Sequence, residues 1–341
     1  MTAMIDLRSD TVTQPTAAMR ADMARAEVGD DVFAEDPSVN RLQELAAELS
    51  GQPSALFLPT GTQSNLVGLL AHCERGDEYI CGQQAHTYKY EGGGAAVLGS
   101  IQPQPLEFEA DGSLDLRRVA AAIKADDFHF ARTRLLALEN THAGKVLPLE
   151  YLGRARAFCD QHQLGFHLDG ARVCNAAVKL GVELSAITAP FDTVSICLSK
   201  GLGAPVGSVL CGNRELIDKA RRWRKVVGGG MRQAGILAAA GIHALQHHVE
   251  RLAQDHDNAL QLANGLAEID ELRVDVEAVQ TNMLYVDMDP ALFPPLRQAM
   301  AEQGIRLDSR LPMRMVTHLD ISREGVERVV AAFKQYFADR R

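Results

Sequence analysis

The chain has 341 residues, of which 46% are hydrophobic and 23% are charged, and its formal net charge is −9 at pH 7. This is the composition of a globular protein with enough apolar residues for a core, and the length favours a large domain with a smaller one. The negative charge argues against general binding to nucleic acid or anionic lipid. No apolar run reaches the roughly 18 residues needed to span a bilayer.

The cysteines and the first residues bear on the cellular compartment. The six cysteines form no C-x-x-C pair and mostly lie in apolar stretches, so we expect reduced, buried thiols in a cytoplasmic protein. The opening MTAMIDLRSDT lacks the basic and apolar regions of a secretory signal.

In chain order, residues 1–20 are predicted to form an extended arm, and Asp36-Pro37-Ser38 then opens a helix that Gly51 ends. Short apolar runs and helical stretches alternate after it. The predicted strands are 55–58, 135–138, 165–168, 193–198, 207–210, 281–288 and 313–318. The predicted helices are 66–71, 151–162, a long and bent 231–266, and 324–337.

Buried strands separated by helices predict an α/β fold with a mostly parallel sheet that helices cover on both faces. We therefore expect a large domain over residues 21–245. The strands and helices beyond it predict a small C-terminal α+β domain over residues 246–341.

Two charged residues follow strands of this predicted sheet. Asp169 ends the run 165–168, Lys200 follows the run 193–198, and the two lie about one βαβ unit apart. Because ligands bind at the carboxyl ends of parallel strands, both side chains should enter one crevice. A lysine there can be a nucleophilic amine, and a nearby aspartate fits the ring nitrogen of pyridoxal 5′-phosphate (PLP). A structural salt bridge is the alternative for either residue alone.

A phosphate site is predicted where Pro59-Thr60-Gly61-Thr62 follows the strand 55–58 and starts a helix. Free N–H groups and the helix dipole attract a dianion there, although plain helix capping gives the same pattern. The chain has no G-x-x-x-x-G-K-[ST] loop, which argues against an NTPase. The glycines at 201, 203 and 207 do not form a dinucleotide fingerprint.

The remaining polar features carry weaker signals. His86 lies between the phosphate motif and Asp169, where an imidazole can stack on the cofactor ring, although a lone loop histidine is usually solvated. Glu139 and His142 follow the strand 135–138 and fit either support of the crevice or helix capping. We interpret the basic cluster 221–225 as a solvated helix face, with a subunit-interface role for Lys225 or Arg232 as the alternative. We interpret His243, His247 and His248 as an exposed helix face rather than a metal site.

Together these residues resemble the low-specificity L-threonine aldolases, which are PLP enzymes of the aspartate aminotransferase fold (fold type I). The resemblance runs in order along almost the whole chain. The motifs that carry it are IDLRSDTVT (5–13), VGDDV (28–32), LPTGTQSN (58–65), AAVLGSIQPQP (95–105), LENTHAGKVLP (138–148), HLDGARVCNA (167–176), SICLSKGLGAPVGS (195–208), VVGGGMRQAGILAAAG (226–241) and RMVTHLD (314–320).

The resemblance implies cleavage of L-threonine or L-allo-threonine to glycine and acetaldehyde, within threonine catabolism and glycine biosynthesis. It also implies a homotetramer whose active sites are shared between paired subunits. No metal is implied.

The resemblance also implies roles for single residues. Lys200 would form the Schiff base with PLP and Asp169 would partner the pyridine nitrogen. Gly61 and Thr62 would bind the cofactor phosphate, and Arg232 would reach the phosphate of the neighbouring subunit. Arg172 would lie beside the cofactor O3′ and, with Ser9 and Arg314, would bind the substrate carboxylate. His86 would stack on the ring, and His86 and His129 would contact the β-hydroxyl.

The sequence leaves three questions open: the effect of a missing phenol, the identity of the base, and the choice among alternative functions. The family usually has D-D-V-Y-G where this chain has Asp30-Asp31-Val32-Phe33-Ala34, so a phenol is missing near the site. The base that takes the hydroxyl proton is His86, His129 or a water that either one activates. Another PLP enzyme, such as an aminotransferase or a serine hydroxymethyltransferase, is the alternative function, and a catalytically silent interaction protein is the third.

Overall fold

The computed structural model describes residues 4–340. Short 3₁₀ turns at Asp10–Val12 and Asp31–Phe33 accompany the regular elements. The strands are β1 (Ile5–Asp6), β2 (Ser54–Leu58), β3 (Asp77–Gly82), β4 (Gln102–Leu106), β5 (Arg132–Glu139), β6 (Gly165–Gly170), β7 (Thr193–Cys197), β8 (Ser208–Gly212), β9 (Leu272–Val274), β10 (Met283–Met288), β11 (Ile305–Arg306) and β12 (Met313–Val316). The helices are α1 (Ala17–Arg25), α2 (Pro37–Ser50), α3 (Gly61–His72), α4 (His86–Lys89), α5 (Gly94–Gly99), α6 (Leu116–Ala122), α7 (Leu149–His162), α8 (Val173–Leu180), α9 (Leu184–Thr188), α10 (Arg214–Val226), α11 (Gly235–His247), α12 (Leu252–Ala267), α13 (Phe293–Glu302) and α14 (Arg323–Ala338).

A seven-stranded sheet forms the centre of the molecule, in the order β2-β8-β7-β6-β5-β3-β4. Strands β4, β3, β5, β6 and β7 pair in parallel, and β8 runs antiparallel to both β7 and β2. Apolar side chains are buried on both faces: Phe57 packs into one core, while Leu56 and Leu58 of the same strand pack into another. The predicted fold class, a mostly parallel sheet covered on both faces, is confirmed.

A second core is built by the C-terminal part of the chain. Strands β12, β10 and β9 form an antiparallel sheet, and helices α12, α13 and α14 contribute to the core that it borders. Ile5 and Leu7 also belong to this core, because β1 pairs in parallel with β11. The start of the predicted arm thus packs on the C-terminal part of the chain. The residues that follow it, 8–13, lie near the central sheet, where Asp10 pairs with Arg172. The boundaries at 20 and 245 stay predictions.

The long helix predicted over 231–266 is wrong, because the structure has two helices there, α11 and α12, with a break between them. Ala238, Ala240 and Ala244 of α11 pack into the core of the large sheet, whereas Leu262 and Leu266 of α12 pack into the second core. One straight helix cannot serve both cores, so the chain changes direction.

The basic cluster 221–225 is only partly a solvated helix face. Arg224 in α10 is buried, pairs with Asp31 at 2.7 Å and donates to the carbonyl oxygen of Phe57 at 2.8 Å. Its neighbours Arg222 and Lys225 are exposed, as expected. The buried pair ties the Asp30-Asp31 turn to strand β2, which leads into the predicted phosphate site.

The histidines at the end of α11 are also less exposed than expected. His243 and His248 are buried, and His243 pairs through Nδ1 with Asp22 at 2.7 Å. The Nδ1 of His248 hydrogen-bonds the carbonyl oxygen of Leu202 at 2.7 Å, so these side chains join elements together.

Two further expectations concern the cysteines and the membrane. All six cysteines are free and buried, as predicted. Within residues 4–340, no helix combines the length and apolar character that crossing a bilayer requires.

Candidate active site

The structure brings Asp169 and Lys200 together at the carboxyl end of the central sheet. Asp169 lies in β6, opposite Ser195 of the neighbouring strand β7, and Lys200 follows β7 by three residues. The positive charge of Lys200 is near both acids: it contributes to the lowered pKa of Asp10 and opposes the larger effects that raise the pKa of Asp169. Among residues 4–340, the Lys200 side chain has no hydrogen bond or ion pair, so its amine is free to react.

The Asp169 carboxylate is buried and oriented without a bonded cation. Its Oδ2 accepts from Asn65 Nδ2 at 2.9 Å, and its Oδ1 accepts from the Ala171 N–H at 3.1 Å. Burial, followed by the negative charges of Glu139 and Glu91, raises the pKa of Asp169 to about 6. A buried carboxylate in this state gains from an added positive charge, which is what a protonated ring nitrogen supplies.

The predicted phosphate site is the start of helix α3. Thr60 caps the helix by accepting the Gln63 N–H at 3.0 Å, and the N–H groups of Gly61 and Thr62 precede the first intrahelical hydrogen bonds. A Cβ built on Gly61 would lie 3.8 Å from Cys197 Sγ, so the helix start lies beside the end of β7. The N–H groups and the helix dipole can therefore bind a phosphate next to Lys200.

Several buried polar atoms on segments that contribute residues to the predicted site have no hydrogen-bond partner. In the described part of the chain they include Ser64 Oγ and Gln63 Oε1 in α3, Asn140 Nδ2 after β5, and Arg314 Nε. Native proteins rarely leave such atoms unpaired unless a ligand or water completes them. Together with the oriented Asp169 and the free lysine, they fit a polar cofactor that carries a phosphate and a basic ring nitrogen.

His86 begins the short helix α4 at the same edge of the sheet. Its Nδ1 lies 2.8 Å from Glu91 Oε1, and its backbone N–H donates to Glu139 Oε2 at 2.7 Å. The hydrogen bond to Glu91 is the largest influence on the pKa of His86 and raises it above the ordinary value. Glu139 also accepts from His142 at 2.9 Å, so the predicted supporting role of the segment after β5 agrees with the geometry.

One ligand-type atom from each of His86, Glu91 and Asp169 lies within 4.8 Å of the other two. Asn65 Nδ2 bridges the two carboxylates, with distances of 2.8 Å to Glu91 and 2.9 Å to Asp169. Sequence patterns had not singled out Glu91 or Asn65, although Asn65 lies in the LPTGTQSN motif.

Arg172 is held by a carboxylate that sequence reasoning also missed. Its Nε and one terminal nitrogen donate to the two oxygens of Asp10 at 2.7 and 2.6 Å. Asp10 is fully buried; burial alone would raise its pKa, but Arg172 outweighs that and lowers it to about 2. The pair spans 162 residues, so only the position of Asp10 in the LRSDT motif hinted at it. The second terminal nitrogen of Arg172 stays available for an anion.

Ser9 and Arg314 lie where the N-terminal segment meets the second core. Ser9 Oγ accepts from the Thr11 N–H at 3.3 Å, and Arg314 donates to the carbonyl oxygen of Arg8 at 3.0 Å. Burial raises the pKa of Tyr285, and the positive charges of Arg314 and Arg172 both act to lower it, so both charges are near this phenol. Their predicted contact with a substrate carboxylate is compatible with this placement.

His129 and Arg232 are not brought to this crevice within one chain. His129 lies on an exposed loop and pairs through Nδ1 with Asp127 at 2.6 Å. Arg232 is 54% exposed and pairs with Asp30 at 3.0 Å. Nearby Phe33, where the resemblance led us to expect a tyrosine, is 70% exposed. Their predicted roles therefore depend on a second subunit or on loop movement.

The chain is similar to known proteins over nearly all of its length. The family model described as beta-eliminating lyase matches residues 6–289. The low specificity L-threonine aldolase of Escherichia coli K12 is 57% identical over 335 residues, which cover 98% of this chain and all of the relative. A probable low-specificity L-threonine aldolase 2 of Arabidopsis thaliana is 44% identical, with 98% of this chain and 97% of the relative covered.

Solved structures give the same fold. A threonine aldolase of Leishmania major aligns with a TM-score of 0.84 at 22% identity, over 97% of this chain and 99% of that chain. A serine palmitoyltransferase of Sphingomonas wittichii aligns with a TM-score of 0.77 at 20% identity, over 97% and 86% of the two chains. These likenesses establish the fold.

Proposed function

Since the chain belongs to the low-specificity L-threonine aldolases within the beta-eliminating lyase family, we propose that it cleaves L-threonine and L-allo-threonine to glycine and acetaldehyde, using PLP. Other β-hydroxy-α-amino acids would give glycine and the corresponding aldehyde. The observation that carries this proposal is the free Lys200 amine beside the buried, uncompensated Asp169, next to the start of α3.

Each part of the cofactor has residues suited to hold it. Lys200 would bind it through the amine, Asp169 through the ring nitrogen, and Gly61 and Thr62 through the phosphate. His86 would lie against the ring, and Arg172 would lie beside the O3′ oxygen. When bound, PLP supplies an electron sink for the pair of electrons released at the substrate Cα.

The substrate carboxylate would be bound by Arg172, Ser9 and Arg314. A guanidinium group binds a carboxylate in a planar, directed way. Asp10 fixes the plane of the Arg172 guanidinium through two hydrogen bonds, which leaves its remaining nitrogen in a defined direction. Fixing the carboxylate also decides which bond of Cα lies in the reactive direction.

The bond between Cα and Cβ breaks as the β-hydroxyl loses its proton. The proton goes to a base, the hydroxyl oxygen becomes the aldehyde oxygen, and the electron pair of the broken bond stays with Cα, which later takes up a proton to give glycine. His86 is the histidine that lies in the crevice, and its Nε2 has no partner among residues 4–340. His129, or a water that either histidine activates, is the other candidate base.

We further propose a cytoplasmic homotetramer, a dimer of dimers, in which Arg232 reaches the phosphate of the neighbouring subunit. Exposed large apolar side chains support an interface: Phe33 is 70%, Val97 74% and Phe128 92% exposed. The buried, unpaired cysteines fit a reducing compartment. In the cell the reaction would consume threonine and supply glycine.

A coupled assay tests the reaction. Purified protein is given L-threonine, L-allo-threonine and their D-isomers without keto acid or folate, and aldehyde is followed with an aldehyde-reducing enzyme. Acetaldehyde from the L-isomers alone is expected. Turnover that depends on an added keto acid or folate would instead identify an aminotransferase or a hydroxymethyltransferase. A colourless protein that takes up no PLP would favour the third hypothesis, a catalytically silent interaction protein.

A further inference from the structure

The half-buried histidine of the crevice has a carboxylate partner that the reaction as described above does not use. Glu91 is almost fully enclosed, with 4% of its side chain exposed, and its Oε1 lies 2.8 Å from His86 Nδ1. An ionised carboxylate can only accept hydrogen bonds, so the shared proton belongs to Nδ1. In the neutral imidazole the other nitrogen, Nε2, is then the proton acceptor.

Glu91 also accepts a hydrogen bond from Asn65. Asn65 Nδ2 donates one N–H to Glu91 Oε1 at 2.8 Å and the other to Asp169 Oδ2 at 2.9 Å. A side-chain amide has two N–H donors, and both are used on carboxylates here. The arrangement keeps two negative side chains in adjacent, defined places despite their repulsion.

A buried chain of hydrogen bonds continues from the Asn65 amide on the side away from the two carboxylates. Its Oδ1 lies 3.3 Å from His167 Nε2, His167 Nδ1 lies 2.8 Å from Thr193 Oγ1, and the same hydroxyl lies 2.8 Å from His72 Nε2. Burial lowers the pKa of His167 to about 3 and that of His72 to about 4, so both rings are neutral near pH 7.

Because Glu91 and Asp169 accept from the Asn65 amide nitrogen, one set of proton positions satisfies this chain. The Asn65 oxygen accepts from His167 Nε2–H, the Thr193 hydroxyl donates to His167 Nδ1, and the same hydroxyl oxygen accepts from His72 Nε2–H. Reversing the Asn65 amide would place its oxygen against the oxygens of Glu91 and Asp169, which only accept, whereas the tautomers of His167 and His72 could follow either orientation. The N–H groups of Asn65 are therefore held toward the crevice.

We infer that Glu91 is a positioning residue for the proposed cleavage: it holds His86 with the proton on Nδ1 and leaves Nε2 as the nitrogen that accepts the substrate's hydroxyl proton. This inference rests on the proposed function for its catalytic meaning, but the tautomer of His86 is a property of the protein alone. The other charges near His86 are Asp169, which adds to the effect of Glu91, and Lys200, which opposes it.

The test compares Glu91→Gln and Glu91→Ala with a matched control elsewhere. In Asp22→Asn the altered carboxylate also pairs with a histidine Nδ1, that of His243 at 2.7 Å, but away from the crevice. The side-chain nitrogens are observed by ¹⁵N NMR in the full-length protein labelled at histidine, and His86 is assigned by its loss in His86→Gln. The pH dependence of kcat and kcat/KM is measured on L-threonine.

In wild-type protein we expect His86 to carry its proton on Nδ1. Glu91→Ala should abolish that preference, and Glu91→Gln, whose amide can donate as well as accept, should weaken it. Both should lower kcat about 10- to 10³-fold with a smaller change in KM, on the scale of losing the orienting partner of a catalytic base. Because a negative charge is removed, the acid limb of the pH profile should move to lower pH. Asp22→Asn should leave the pH profile and kcat unchanged.

Two results separate the inference from the function on which it rests. An unchanged His86 tautomer and an unchanged pH profile in Glu91→Ala would overturn the role of Glu91, even if the wild-type protein releases acetaldehyde. A wild-type protein without aldol cleavage would overturn the proposed function, while the NMR spectra would still decide whether Glu91 fixes the tautomer. If Glu91→Ala does not fold, Glu91→Gln decides through the pH profile: an acid limb that stays in place despite the loss of the negative charge would overturn the role of Glu91.

Discussion

His86 and His129, the two candidate bases, both have a carboxylate on Nδ1, and their surroundings differ. His86 is 41% exposed and its partner Glu91 only 4%, whereas His129 is 66% exposed and its partner Asp127 is 44% exposed. The two hydrogen bonds are similar in length, 2.8 and 2.6 Å. Of these two pairs, only His86–Glu91 is hydrogen-bonded further, through Asn65 to Asp169. Two pairs with similar local geometry therefore differ in their proposed function, because only one belongs to a buried hydrogen-bond network.

The largest effect is expected when the amine of Lys200 is removed. Lys200→Ala should fold and lose aldol cleavage by about 10⁴-fold or more, the scale on which loss of a covalent catalytic group acts. Acetaldehyde release measures the loss of cleavage, and the melting temperature measures whether the variant folds. Lys219→Ala, an exposed lysine paired with Glu215 in α10, is the control and should retain full activity. Full turnover by Lys200→Ala would end the mechanism.

The next test exchanges the two histidines separately. His86→Asn should lower kcat on L-threonine about 10²-fold or more, as expected for loss of a general base, and His129→Asn should have the smaller effect. Steady-state kinetics on both L-isomers measures this order. A larger loss at His129 would assign the base to the exposed loop, in which case burial would not be the deciding property.

A third test moves to Asp10, whose contact with Arg172 is the other buried pair of the crevice. Asp10→Asn should cost about 3 kcal/mol or more in unfolding free energy and raise KM, because an unpaired guanidinium stays buried. The folded pKa of Asp10, about 2, lies below its ordinary value of 3.8. Its contribution to stability is therefore complete above about pH 4 and is lost as pH falls toward 2.

Denaturant titrations at pH 7 and at pH 2–3 check this prediction. The difference in unfolding free energy between wild type and Asp10→Asn should shrink at the lower pH. A constant difference across this range would show that the pair does not titrate as described.

The smallest expected effect is at the exposed pair. Asp127→Asn should leave the melting temperature unchanged, because a solvated ion pair adds little to stability. Thermal unfolding and turnover number are the measurements. A marked loss of activity in the assembled enzyme would mean that the 126–131 loop enters a crevice, that of its own chain or of a neighbour.

Much of the fold and the centre of the site could be predicted from short stretches of sequence. Asp169 and Lys200 each follow an apolar run, Gly61 follows another, and consecutive parallel strands end at one edge. These are local patterns, since strand ends, helix starts and buried faces are encoded within about ten residues of chain. The family resemblance then supplied roles for those positions.

Only the tertiary structure decided which polar side chains meet. Asp10 and Arg172 are 162 residues apart, and Asn65 reaches Glu91 and Asp169 across 26 and 104 residues. It also decided that the predicted long helix is broken, because its two halves pack into different cores. Local pattern determines where a strand ends, but a hydrogen bond between distant residues depends on how the helices and strands pack.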